Sequence, residues 1–181
     1  MDYDEIVKDY LKVAQELYGP MVNAWNYSGI EFNNMRPHLR YFSDTGNLVV
    51  SLNQKARNDN VQFHFQLSHE ICHMLYPTMD IVTNINKPTT VLNEGLSTYF
   101  SLFAIENLCN VQEVISNLKE YSNNYYHAFL LVAQLHQIDQ GAVKKLRSIK
   151  PMLNELKEED FEHAGLKIPK ELVKKLLTVF K

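Results

Sequence analysis

The chain has 181 residues, 45% hydrophobic and 22% charged, with a net charge of −3. That balance excludes a disordered or low-complexity chain. It also argues against nucleic acid or a membrane surface as the main partner, because the charge is small. The length suits one domain over 1–181, with a core of useful size.

The first element expected is a helix over residues 3–18, with Ile6, Tyr10, Val13 and Leu17 at helical spacing and Gly19-Pro20 to end it. This N-terminus is acidic and amphipathic, with no basic and apolar stretch of the secretory kind, so a cytoplasmic location is expected. No apolar run approaches the ~18 residues of a membrane span. Cys72 and Cys109 are too few for a disulfide framework and read as reduced thiols.

Residues 21–53 change character. "VNAWNYSGI", "HLRYFSD" and "NLVVSLN" are short, rich in aromatic and β-branched residues, and separated by turn residues. They predict a small antiparallel sheet with a hairpin at Asp44-Thr45-Gly46. From about residue 59 the pattern is helical. Phe63, Leu67, Ile71 and Met74 mark one face of a helix that Pro77 closes. A loop follows around Asn84, Asn86, Lys87 and Pro88. A second apolar helix is expected from about Thr90 to Leu108, with Leu92, Leu96, Tyr99 and Phe103 as its inner stripe. Further helices fit 111–122, 124–138, 142–148, 151–158 and 169–180. The class expected is α+β and mainly helical, with a sheet-containing part over about 20–76 and a helical part over about 77–181.

The chemistry concentrates in "QLSHEICHMLYP", residues 66–77. His69 and His73 are four apart, so on a helix both imidazoles stand on one face and can reach one ion. Neither falls on the apolar stripe. They share a polar strip with Gln62 and Gln66, which suits a helix buried on one side and lining a cleft on the other. Two imidazoles and a carboxylate suit zinc. Glu70 is rotated about 100° from His69 and is placed to take a proton from the attacking water. The next helix, in "VLNEGLSTYFSLF", carries Glu94, about half a turn from its apolar stripe. A carboxylate on so apolar a helix is costly to bury unless it is paired or bound to a metal. The 20 residues between His73 and Glu94 allow one helix to end and the next to return antiparallel.

"HEICH…LNEGLSTYF" resembles the gluzincin zinc peptidases, and most closely the catalytic core of the aminopeptidase N group, in a minimal form. The resemblance covers about residues 45–136. It implies a zincin-like helical body, one zinc ion held by His69, His73 and Glu94, and Glu70 as general base. Thr98, one turn beyond Glu94, matches a residue expected to support the metal ligands. The segment "YSNNYYHAFLLVAQL" is similar to the family segment in which a tyrosine opens a helix and donates to the oxyanion. Alignment on its apolar run puts Tyr125 in that role, with His127 as runner-up and Tyr126 adjacent. The family carries an amine-anchoring glutamate on the strand before the zinc helix. That strand is expected here in "TGNLVVSLN", and "NLVVSLN" has no acidic residue. An edge strand there could still hold an extended peptide by backbone hydrogen bonds.

The function expected is a zinc-dependent metallopeptidase acting on a peptide or protein substrate, by internal cleavage or with restricted specificity rather than as a strict aminopeptidase. The alternative is a non-catalytic, zinc-stabilised interaction protein on the same fold.

Overall fold

The computed structural model describes residues 2–80 and 82–181. Its elements run α1 (Tyr3–Tyr18), β1 (Asn26–Asn33), β2 (His38–Phe42), β3 (Asn47–Asn53), α2 (Asn60–Met74), α3 (Val91–Ala104), α4 (Val111–Tyr121), α5 (Asn123–Ile138), α6 (Ala142–Ile149), α7 (Glu158–His163) and α8 (Lys170–Leu177). The class is α+β and mainly helical, as the periodicities imply.

The sheet differs from the expected one. Its strand order is β1-β3-β2, with β2 antiparallel to β3 and β1 parallel to it. It is therefore mixed rather than antiparallel. The cause is burial. Leu48, Val50 and Leu52 of β3 are all fully buried, so the most apolar strand takes the centre. Residues 34–37 carry the chain from one edge strand to the other, and the hairpin then folds β3 back between them. That hairpin turns where expected, with Gly46 at φ 67° supplying the positive dihedral.

α2 is capped by Asp59, whose side chain accepts from the Gln62 amide. Its Phe63, Leu67, Ile71 and Met74 are buried as the stripe predicts. α3 is buried almost all round, with Leu92, Leu96 and Phe100 fully inside. Phe103, expected on that inner stripe, is 46% exposed, and Phe100 takes its place. The reason is that α3 is flanked on several sides at once, so no single stripe describes it. On α1 the buried residues are Val7, Ala14 and Tyr18, while Leu17 is 43% exposed. The expected helix over 151–158 is absent. A short 3-10 turn spans Leu153–Glu155, and α7 starts at Glu158, where three consecutive acids favour a helix N-terminus.

Two contacts fix how the helices meet. Gly95 of α3 lies against the backbone of α5. A Cβ there would sit 2.4 Å from the Ala128 carbonyl oxygen and 2.8 Å from Val132 Cγ2. Arg147 of α6 is 5% exposed and faces no carboxylate. Instead Nε donates to the Pro151 carbonyl, Nη1 to those of Tyr18 and Gly19, and Nη2 to those of Pro20 and Leu75. The guanidinium's five N–H groups thus meet five carbonyls, tying the end of α1 to the end of α2.

Gly95→Ala is expected to destabilise the protein by about 1–3 kcal/mol through overpacking, although alanine is the better helix former. An unchanged or raised midpoint in urea unfolding would contradict the close approach. Arg147→Lys, with three donors and no fork, is expected to cost about 3 kcal/mol or more, because buried carbonyls lose their partners. Stability within about 1 kcal/mol of wild type would show that the carbonyl cage is not a constraint.

Candidate metal centre and cleft

α2 and α3 pack side by side through their apolar faces, and this brings together the three residues singled out from the sequence. Nε2 of His69 and Nε2 of His73 are 3.2 Å apart. Oε2 of Glu94 lies 3.3 Å from the first and 3.4 Å from the second. Three donors each about 2.0 Å from one ion, at tetrahedral angles, are about 3.3 Å apart. The triad therefore fits a tetrahedral metal with these three protein ligands, and the chemistry of the set fits as well: two imidazoles and one carboxylate.

The sequence folds this way for local reasons. The i, i+4 spacing aligns the two histidines. Glu94 falls in the first turn of α3, where the helix dipole favours a negative charge. That turn is fixed by a capping box, in which the Thr90 hydroxyl oxygen accepts from the Asn93 amide and Asn93 Oδ1 accepts from the Thr90 amide, each at 3.4 Å. Thr98 is fully buried, and its hydroxyl donates to the Glu94 carbonyl at 2.8 Å. It thus steadies the backbone that carries the ligand, not the carboxylate itself.

Burial by itself would raise the Glu94 carboxyl. The two imidazoles beside it outweigh burial and hold it well below the usual carboxylate range. Burial likewise pushes His73 down, but the Glu94 carboxylate reverses this and leaves it raised. The two shifts describe one ion pair, so a proton on His73 occupies the place of a cation next to Glu94.

Glu70 is 4% exposed and makes no hydrogen bond with a described residue. Burial drives its carboxyl above the usual range, against the downward pull of both histidines. It lies on the wall of a cleft of about 690 Å³, shared with His69, Gln62, Gln66 and Tyr125. The polar strip of α2 thus lines a cleft, as its sequence implies.

Tyr125 lies in the first turn of α5, with its ring 5.9 Å from that of His69. Burial, with smaller upward contributions from Glu94 and Glu70, pushes its hydroxyl up to about 12. It is therefore an O–H donor at neutral pH. Tyr126 and His127, the other two candidates, do not line the cleft, and His127 is exposed.

Two features of the cleft were not read from the sequence. Phe180 packs its ring on Tyr125 at 4.8 Å. It is brought there because residues after α8 pair with the start of α3, through Val91 N to Thr178 O and Phe180 N to Thr89 O. Arg36, in the link between β1 and β2, also lines the cleft. No local pattern marks either residue. The strand beside the cleft is also different. β3 is central and β1 and β2 are the edges; β2 begins next to Arg36 and Pro37, which line the cleft.

No helix among the described residues is long and apolar enough to cross a membrane. Compared with family models, with curated proteins and with solved structures, the chain matches none of them.

One equivalent of zinc is expected to bind and to raise the thermal midpoint. Removing any of the three ligands, as in His69→Ala, should weaken binding by more than about 100-fold, since even supporting residues cost 10–100-fold. Affinity should fall as pH falls below the raised His73 value, because the ligand must first lose its proton. Isothermal titration calorimetry at several pH values checks this. Unchanged affinity in the ligand variants would contradict the centre.

Proposed function

We propose that the protein is a zinc-dependent peptidase that hydrolyses peptide bonds in this cleft. One observation carries the reading. A metal-ready triad meets a cleft through His69, and the carboxyl of the buried Glu70, with no hydrogen-bond partner among the described residues, lines the same cleft. A structural zinc has four protein ligands and no use for such a group. Among the described residues the triad offers three, which leaves a position for water or substrate.

The donor set, two imidazoles and one carboxylate at 3.2–3.4 Å from one another, suits zinc. When bound, zinc supplies a Lewis acid that polarises the scissile carbonyl and acidifies the attacking water. Glu70 takes the proton from that water and later delivers it to the leaving amine. Its raised affinity for protons suits both steps, because it can hold one between them. Tyr125 donates its O–H to the oxyanion as charge develops there. The free edge of β2 offers backbone groups to an extended peptide.

Glu70 and Glu94 are the carboxylates in this region, and both have roles in the reaction. None remains to anchor a substrate's free amine among the residues lining the cleft. That favours internal cleavage or a restricted substrate over removal of N-terminal residues.

Cleavage profiling on a diverse peptide library, with zinc-loaded protein, tests this reading. Glu70→Gln is expected to lose about 10²–10⁴-fold in kcat and to keep its zinc. Tyr125→Phe should lose about 10²–10³-fold in kcat with zinc binding unchanged. Full activity in Glu70→Gln would refute the mechanism. Zinc binding with no cleavage of any peptide would instead point to a binding protein.

A further inference from the structure

The chain has four arginines, and three are engaged. Arg40 pairs with Glu31 at 3.1 Å. Arg57 lies over the Phe32 ring at 5.6 Å. Arg147 fills its five donors with carbonyls. Arg36 has no ion pair, hydrogen bond or ring contact for its guanidinium among the described residues, and it lines the same cleft as His69, Glu70 and Tyr125.

The backbone of Met35 and Arg36, in contrast, is held at three points. The Met35 amide donates to Asn33 Oδ1 at 2.8 Å, the Met35 carbonyl accepts from Asn53 Nδ2 at 2.9 Å, and Nδ1 of His38 meets the Arg36 carbonyl at 2.8 Å. The held backbone keeps Arg36 at the cleft wall, where the donors of its guanidinium are unclaimed. A guanidinium is planar and forked, and it matches a carboxylate with two parallel hydrogen bonds.

The charge around it points the same way. The chain is acidic as a whole, with 21 acids against 18 bases. At the cleft two basic side chains, Arg36 and Lys181, share the lining with one acidic side chain, Glu70. A carboxylate that enters beside Arg36 meets a guanidinium with unclaimed donors, and an ammonium there does not.

We propose that Arg36 is a carboxylate anchor, and that the cleft selects peptides carrying a carboxylate on the Arg36 side of the His69, His73 and Glu94 triad. This rests on the peptidase reading and narrows its substrate class. The carboxylate comes either from an aspartate or glutamate side chain or from the peptide's own terminus. Both present the same two oxygens to the guanidinium. The anchor stands just before β2, next to that free edge.

The test is binding of fluorescent peptides to the full-length, zinc-loaded Glu70→Gln protein, read by anisotropy so that turnover is not needed. Four peptides share one neutral core: acidic side chain with amidated end, neutral with free carboxylate, neutral with amidated end, and lysine with amidated end. At least one carboxylate peptide is expected to bind about ten- to hundredfold tighter than the neutral amide, as charge-assisted bonds allow. Which of the two does so identifies the source. Adding Arg36→Gln should erase the difference and leave the neutral peptide unchanged. Arg36→Glu should turn the preference toward lysine.

Equal affinity for all four peptides would overturn the anchor. So would Arg36→Gln weakening neutral and acidic peptides alike, or no binding by any of them. Cleavage by the wild-type protein separates the two readings. Cleavage without regard to charge rejects the anchor and keeps the peptidase, whereas charge-selective binding without cleavage rejects the peptidase and keeps the anchor.

Discussion

A carboxylate placed near the middle of the protein sets the terms for everything around it. Glu94 is 7% exposed on the most buried helix, α3. An unpaired charge there would cost several kcal/mol. Three arrangements meet that cost: the first turn of a helix, the imidazoles of His69 and His73 at 3.3 and 3.4 Å, and a metal between them in the reading proposed here. The histidines reach Glu94 because the stripe through Leu67, Ile71 and Met74 packs α2 against α3. The apolar core and the polar triad are thus two faces of one helix pair.

The glycine after Glu94 extends this logic to the third helix. With no side chain at Gly95, the backbone of α5 comes within a distance that no Cβ would tolerate. Ala128, the point of contact, is one helical turn after Tyr125. Close approach at Gly95 therefore also carries the tyrosine to the edge of the His69 ring. A single absent methyl group serves packing and site geometry together. Phe180 then closes the other side of Tyr125, and Arg147 anchors the end of α2 from below.

Much of this was legible in the sequence because it is local. The i, i+4 histidines, the stripe of α2, the Pro77 stop and the hairpin at Gly46 depend on residues within a turn or two of one another. Glu94 was legible for a different reason: a lone acid on an apolar helix needs a partner, and the chain offered one pair of histidines at a suitable distance. What was not legible is non-local. The strand order depends on which strand carries the fully buried residues Leu48, Val50 and Leu52, and the turn after β1 does not encode that. The inner face of α3 was misplaced at Phe103 because a helix with several neighbours has no single stripe. Arg36 and Phe180 reach the cleft through a sheet crossover and a returning tail, and neither leaves a periodic trace.

The account depends on a zinc ion held by two imidazoles and one carboxylate, with Cys72 close in sequence but buried among Tyr76 and the core. X-ray absorption at the zinc edge of the loaded protein tests this most directly. The account predicts nitrogen and oxygen donors at about 2.0–2.1 Å, with the multiple scattering of two imidazoles. A sulfur shell at about 2.3 Å, or a single imidazole, would contradict it.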